Sequence, residues 1–222
     1  VSLGYRGALV LIMDGEGYAV KTAQKGILAL RLLARGRACH SSTPWRGRNA
    51  IDRLIAGYLK IKEEFPAVRA GDEWHATASG NVIRAGTVFN RVPDTAEMTL
   101  DVRYTEKEKP GELLRRLRRR SGLQITQVTA SPVVYCDAEH PVLLNLRGCM
   151  RNRLRRKITL GKMNGATDAR HFVALGVPQA ILGLPGGGAH GRNERVQLAG
   201  MARYEALLQE LAMGALATAD PA

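Results

Sequence analysis

Three short segments of this sequence hold side chains suited to chemistry. Asp14-Gly15-Glu16 closes the apolar run Ala8 to Met13, Gly186-Gly187-Gly188-Ala189-His190 follows the apolar run Ala180 to Leu184, and His40 stands beside Cys39. In an open parallel sheet, ligands collect at the carboxyl ends of strands. A carboxylate and a neutral imidazole at two neighbouring strand ends are suitable zinc ligands at ~2.0–2.2 Å. Spacing alone leaves the commoner alternative open, in which a histidine after a glycine-rich loop is an ordinary hydrogen-bonded surface residue. Cys39, Cys136 and Cys149 are an odd set with no Cys-x-x-Cys pair. Neither a disulfide framework nor a cysteine-held metal cluster is expected, and a reducing, cytoplasmic setting is.

The elements that must position these groups fall into two patterns. From Gly26 to Ala130 the order reads β-α-β-β-α-β. A strand over Gly26 to Arg35 carries Leu28, Leu30, Leu32 and Ala34 on one face. A helix over Asn49 to Glu64 carries Ile51, Leu54, Ile55, Tyr58 and Leu59, and Pro66 stops it. Trp74 to Ala85 reads as a strand broken at Gly80-Asn81, and Ala96 to Arg103 alternates strictly. Thr105 with Glu108 is a capping-box signature for a helix bearing Leu113, Leu114 and Leu117, and Leu123 to Val128 is the last strand. This is the ferredoxin-like split βαβ, an antiparallel sheet with two helices on one face.

The flanks differ. Ala8 to Met13 suits a strand buried on both faces. After Pro141 come a helix over Val142 to Leu154, a strand near Ile158 to Leu160, a helix opened by Asp168 and closed by Gly176 and Pro178, a strand over Ala180 to Leu184, and a helix from Gln197 to Ala217. The expected fold class is α/β: a mostly parallel sheet of residues 1–24 and 132–222, with an α+β domain of residues 25–131 inserted.

Composition narrows the partners. With 222 residues, 45% of them hydrophobic, the chain is too apolar for a disordered basic tail. No run approaches ~18 apolar residues, so no membrane span is expected, and the first ten residues, VSLGYRGALV, show no targeting leader. The formal charge is +13, concentrated in two runs without carboxylates. One holds Arg115, Arg116, Arg118, Arg119 and Arg120; the other holds Arg147, Arg151, Arg153, Arg155, Arg156, Lys157 and Lys162. A clustered basic face is the footprint of a nucleic-acid binder. Neither run is interleaved with aromatics that stack on bases, so solvated helix faces are expected and nucleic acid is not.

Several segments, in order, carry a resemblance. Gly165-Ala166-Thr167-Asp168-Ala169-Arg170-His171-Phe172, Gly176-Val177-Pro178 and Gly186 to Glu194 resemble the C-terminal signature of the dinuclear zinc hydrolases that include aminoacylase, acetylornithine deacetylase, succinyl-diaminopimelate desuccinylase and glutamate carboxypeptidase. Lys25-Gly26 through Cys39-His40-Ser41-Ser42, with Pro44 and Asn49-Ala50-Ile51, resembles the start of that family's dimerisation (lid) domain. Gly86 to Asp94 followed by Leu100-Asp101-Val102-Arg103 resembles its middle. The resemblance implies a hydrolase of amide bonds in N-acyl amino acids or small peptides bearing a carboxylate. It implies two zinc ions, with cobalt or manganese as substitutes, and a homodimer formed through the lid. Asp14 and His190 would be metal ligands, with Glu16 the fallback for Asp14. His40 would reach the partner subunit's site and polarise the scissile carbonyl. Asn90, Arg103 and the Gly187 backbone would bind substrate, arginine by a bidentate grip on a carboxylate. Thr167 and Asp168 also suit a helix N-cap.

The departures from the family carry equal weight. Its His-x-Asp segment, bridging Asp and Glu-Glu pair have no counterpart here. None of His40, His75, His140, His171 and His190 is followed two places later by Asp, and the only Glu-Glu, Glu63-Glu64, comes after Asp14. The chain as given is therefore expected to be inactive. A non-catalytic dimerisation module, pairing through a lid edge strand, is the alternative.

Overall fold

A computed structural model describes residues 7–189 and 191–215. The chain divides into two units, one built from the residues up to Gln24 and those from Val133 on, the other from Lys25–Pro132. The first unit begins with strands β1 (Val10–Glu16) and β2 (Val20–Gln24).

The Lys25–Pro132 unit follows, with β3 (Gly26–Arg35), β4 (Cys39–His40), α1 (Ala50–Lys62), β5 (Thr77–Ala85), β6 (Arg91–Val92), β7 (Thr95–Tyr104), α2 (Pro110–Ser121) and β8 (Gln124–Ser131). Its main sheet has the order β5-β7-β3-β8, antiparallel throughout. The alternation in β3 and β7 turns Leu28, Leu30, Leu32, Leu100 and Val102 inward, all fully buried, against Leu54 and Ile61 of α1 and Leu113 and Leu117 of α2. Each such leucine contributes about 2 kcal/mol by leaving water. This is the ferredoxin-like order expected from the sequence.

Local details differ from the sequence pattern for physical reasons. Gly80-Asn81 does not break β5; the strand runs through with a bulge between Gly80 and Val82, and Trp74 lies outside it. The buried stripe of α1 is Ala50, Leu54, Gly57 and Ile61, while Ile55 and Leu59 of the neighbouring row are 44% and 55% exposed. The Thr105–Glu108 bonds form, Thr105 N–H and Oγ1 donating to Glu108 Oε2 at 2.9 and 2.7 Å, yet α2 starts only at Pro110. Proline disfavours a helical conformation in the residue before it, and Lys109 is accordingly extended. The arginines of α2 are largely engaged. Arg116 and Arg120 meet Glu64 at 2.9 and 2.7 Å, Arg120 also meets Glu63 at 3.3 Å, and Arg118 donates to Ile125 O at 2.9 Å. Glu63-Glu64 is thus a clasp between α1 and α2.

The first unit resumes with β9 (Val134–Tyr135), α3 (Pro141–Leu154), β10 (Leu160–Met163), β11 (Gln179–Leu184), β12 (Gly186–Gly187), β13 (Arg195–Val196) and α4 (Leu198–Glu210). Its sheet runs β1-β11-β2-β10, with β9 paired to β2. On one face α3 and α4 bury Leu143, Leu146, Met150, Tyr204 and Leu207 against Val20, Ala180 and Leu182. On the other, a 3-10 helix, Asp168–Leu175, sets Ala169 against Ile181 and Val134.

The α/β class holds, and the sheet is mixed rather than mostly parallel. β1 with β11 and β2 with β10 are parallel; β2 with β11 and β2 with β9 are antiparallel. Only Gly17–Ala19 separate β1 from β2. A parallel return needs a crossover of about a dozen residues or more, so the chain reverses. Nor is β1 buried on both faces. Among the described residues it pairs with β11 alone, its apolar residues are half-buried, and Met13 is exposed. The segment after Thr167 is a 3-10 rather than an α-helix, capped by Thr167, whose Oγ1 accepts from Ala169 N at 3.2 Å. α4 gives way after Glu210 to a π-helical turn, Leu211–Ala215.

Candidate functional site

Two constellations emerge, one in each unit. In the first unit, a cavity of about 320 Å³ is lined by Asp14, Gly15, Gly186, Gly187, Gly188 and Ala189, with Glu194, Arg195 and Val196 opposite. Asp14 lies where the pairing of β1 with β11 slips, between Ile12 and Gly15, and it is exposed. The slip puts the carboxylate within the strand rather than beyond its end. Gly186 and Gly187 pair with Val196 and Arg195. Gly188 closes the turn at φ +76°, where a Cβ would stand 2.7 Å from Asn193 O, so a side chain is excluded twice over. His190 lies outside the described residues; it follows Ala189, which lines the cavity. Glu16 holds the last position of β1, paired with Leu184.

The turn after Glu16 is held by aromatics. Tyr204 Oη donates to Gly17 O at 3.4 Å and its ring stacks on Tyr18 at 5.9 Å. Burial, helped by Tyr18, pushes the Tyr204 hydroxyl up to about 12, so it remains a neutral donor. Among the described residues no three His, Cys, Asp or Glu side chains cluster as a metal site. Asp14 suits one ligand position on the cavity rim and does not make a metal centre by itself.

In the Lys25–Pro132 unit, β4 pairs with β6, His40 opposite Arg91, and Ser41 N donates to Asn90 O at 3.0 Å. His40 and Asn90, fifty residues apart in sequence, thereby become neighbours. His40 is exposed. Its Nδ1 accepts from Ser42 N–H at 3.2 Å and lies 2.8 Å from Ser42 Oγ. An Nδ1 that accepts a backbone hydrogen bond leaves the proton of the neutral ring on Nε2. The outward face of His40 is therefore a donor, which suits stabilisation of a developing oxyanion. Long-range ¹⁵N–¹H correlation NMR is expected to find His40 as the Nε2–H tautomer once deprotonated; an Nδ1–H tautomer would refute the donor assignment.

Beside this pair, a cavity of about 540 Å³ is lined by Ser41, Asn49, Val88, Phe89, Arg91 and Pro93, and Phe89 is 99% exposed. Arg103 does not join it. It lies opposite Ile27 and Thr77, at the far end of β7 from Thr95, about 27 Å away along the strand. There its guanidinium grips Asp101 at 3.0 Å. Burial pulls the nearby Lys25 ammonium below its usual pKa, against the opposing Glu108 and Glu73.

The Gly165–Phe172 segment does not join the Asp14 cavity either. Thr167 bonds to Gln24, and the register puts Gln24 and Met163 at the Gln179 end of β11, whereas Gly187 lies past Leu184. Asp168 is exposed, 3.8 Å from both Arg170 and His171. Arg195, which lines the cavity across from Gly187, has no signal in the sequence pattern: it belongs to no periodic run and no spacing singles it out.

The chain thus combines an α/β unit, in which a glycine-rich turn faces a strand-borne carboxylate, with an inserted split-βαβ domain. Residues 22–122 match the family model described as the peptidase dimerisation domain, of the M20 peptidases, and the resemblance seen in the sequence is borne out. A probable succinyl-diaminopimelate desuccinylase of Staphylococcus aureus is 29% identical over 120 residues, covering 42% of this chain and 30% of that protein. Among solved structures, aminopeptidase PepT from Bacillus cereus superposes with a TM-score of 0.77 at 18% identity, covering 94% of this chain and 57% of that one. The M20 family metallo-carboxypeptidase Sso-CP2 from Sulfolobus solfataricus gives 0.68 at 17% identity, over 91% and 62%. At these identities the solved structures define the fold. The chain spans less than two thirds of the length of these relatives. No helix among the described residues is long and apolar enough to cross a membrane.

Proposed function

We propose that this chain is the lid-bearing part of a metal-dependent hydrolase that cleaves amide bonds in N-acyl amino acids or small peptides carrying a free carboxylate. The observation that carries the reading is the joining of His40 and Asn90 across β4 and β6, inside the domain matched by the family model. In this reading Asp14 and His190 supply two ligands of a dinuclear zinc site, with Glu16 as the alternative to Asp14. Bound zinc supplies Lewis-acid polarisation and an activated water. His40 Nε2–H donates to the substrate oxygen as charge develops on it, Asn90 orients the amide, and the Gly186–Gly188 turn offers backbone N–H groups. Arg103 exchanges Asp101 for the substrate carboxylate. Two copies join through the lid at β5, where exposed Val82 and Ile83, with Ile55 and Leu59 on α1, support such a contact. His40 then serves the partner subunit, and the free cysteines suit a cytoplasmic enzyme.

With no His-x-Asp segment, and the Glu-Glu pair spent in the α1–α2 clasp, these 222 residues do not turn over substrate alone. The isolated chain is expected to sediment as a dimer, to hold less than two zinc per chain and to leave N-succinyl and N-acetyl amino acids intact. Robust turnover would overturn the inactivity, and a monomer would overturn the lid reading. In a chain extended to an active enzyme, His40→Ala is expected to lower kcat about a hundredfold with KM little changed. A second reading, a non-catalytic dimerisation module, is supported by the match of residues 22–122 to the peptidase dimerisation domain. A dimer that binds no zinc in either the isolated or the extended chain would support it.

A further inference from the structure

We propose that the exposed face of α3 and the turn after it bind the phosphate backbone of duplex nucleic acid, without regard to sequence. The structure separates the two arginine runs that the sequence shows alike. On α2 four of the five cations are engaged, Arg116 and Arg120 by Glu63 and Glu64, Arg118 by Ile125 O and Arg115 by Gly111 O, which leaves Arg119 as a single exposed cation rather than a row. On α3 they are not. Arg153 meets Glu210 at 3.2 Å and Arg156 lies 4.2 Å over the Tyr18 ring. Arg147, Arg151, Arg155 and Lys157 are exposed and have no ion-pair or hydrogen-bond partner among the described residues.

This arrangement weakens the fold that carries it. Like charges one turn apart repel, and the helix dipole offsets this only within the last turn, which excludes Arg147. Arg155 ends α3 in the left-handed conformation, φ 52°, the one non-glycine residue with positive φ among those described. Glycine or asparagine takes that position at less cost. A strained arginine closing a row of unpartnered cations points to an anionic ligand rather than to stability.

The chemistry selects among polyanions. The apolar side of α3, Leu143, Leu146, Met150 and Leu154, is buried in the core, so the helix cannot lay an apolar face into a membrane. Tyr18, beside the turn after α3, is covered by Arg156 and stacked on Tyr204, so it offers no platform for unpaired bases. Arg147 and Arg151, about 6 Å apart along the helix, suit successive phosphates of a duplex strand, the contacts that position a protein without reading bases.

Fluorescence anisotropy with a labelled mixed-sequence duplex of about 20 base pairs tests this. With four contacts, log K is expected to fall with log[salt] at a slope of about −4. Arg147→Glu with Arg151→Glu is expected to weaken binding more than tenfold and flatten the slope by about 2. Arg155→Gly is expected to weaken binding while raising the thermal midpoint, a pairing that a purely structural role does not produce. Arg115→Glu with Arg119→Glu, on α2, is expected to change affinity less than twofold. The proposal is overturned if the α3 charge reversals, folded by circular dichroism, bind the duplex as the parent does. It is equally overturned if the chain binds phosphatidylserine-rich vesicles but not the duplex.

Discussion

Gly36→Ala is expected to destabilise the Lys25–Pro132 unit by about 3 kcal/mol and to release the loop that carries His40. Gly36 leaves β3 toward β4, and its N–H donates to Asp94 O at 2.7 Å. A Cβ at this position would collide with Arg48 O and stand 3.0 Å from Ala50 N. Both obstacles are backbone and alanine has no rotamer to turn, so one of the two chain segments must move. What moves is the bridge between Arg37 and Arg48, whose reciprocal hydrogen bonds measure 2.9 and 2.8 Å. Overpacking costs about 1–3 kcal/mol and each lost backbone bond about 1 kcal/mol. The measurement is a urea titration read at unchanged m-value, with amide exchange at Arg37 and Arg48 to locate the damage. A midpoint equivalent to less than about 0.5 kcal/mol of change, with both amides still protected, would show that the loop tolerates the side chain.

That collision also shows where the sequence is silent. The alternation of Leu28, Leu30 and Leu32, and of Met98, Leu100 and Val102, defines the lid strands, because a period of two can bury only one face of a pleated strand. Nothing comparable marks Gly36, whose constraint comes from a segment twelve residues on. The face of α1 was only half legible, since Ile51, Ile55 and Leu59 form an apolar row beside the one that packs, and composition does not say which row meets the sheet. The direction of β2 depends on the three-residue link from β1, a matter of length rather than of residue type.

For the site, the resemblance rather than any local pattern singles out His40 and Asn90; the β4–β6 pairing then brings them together. Asp14 and Gly187 meet at one cavity, as neighbouring strand ends suggest. Arg103 is set apart from Asn90 by the length of β7, a separation that spacing in sequence cannot reveal.

Gln24→Leu is expected to cost the first unit about 3 kcal/mol or more, although it keeps the volume of a side chain that has no solvent exposure. Gln24 Oε1 accepts from Thr167 N at 2.8 Å and from Thr167 Oγ1 at 2.6 Å, while its Nε2 donates to Thr167 O at 3.3 Å. The side-chain amide thus acts as one more backbone partner, closing the end of β2 onto the loop before the 3-10 helix. Thr167 is itself only 3% exposed, so water cannot replace what is lost. Leucine leaves the buried Thr167 N–H unpaired at about 1–3 kcal/mol, leaves Thr167 O with only the long bond from Arg170 N at 3.4 Å, and the hydroxyl keeps only its contact with Ala169 N. The 3-10 helix should loosen first, because it stands on that cap.

A double-mutant cycle with Thr167→Val isolates the pair. If the hydroxyl matters chiefly through Gln24, the second change should cost less in the Gln24→Leu background than alone, with a coupling of at least about 1 kcal/mol. Additive losses would instead mean that the Thr167 hydroxyl acts only as the helix cap, with the cost of Gln24→Leu carried by the bonds to the Thr167 backbone.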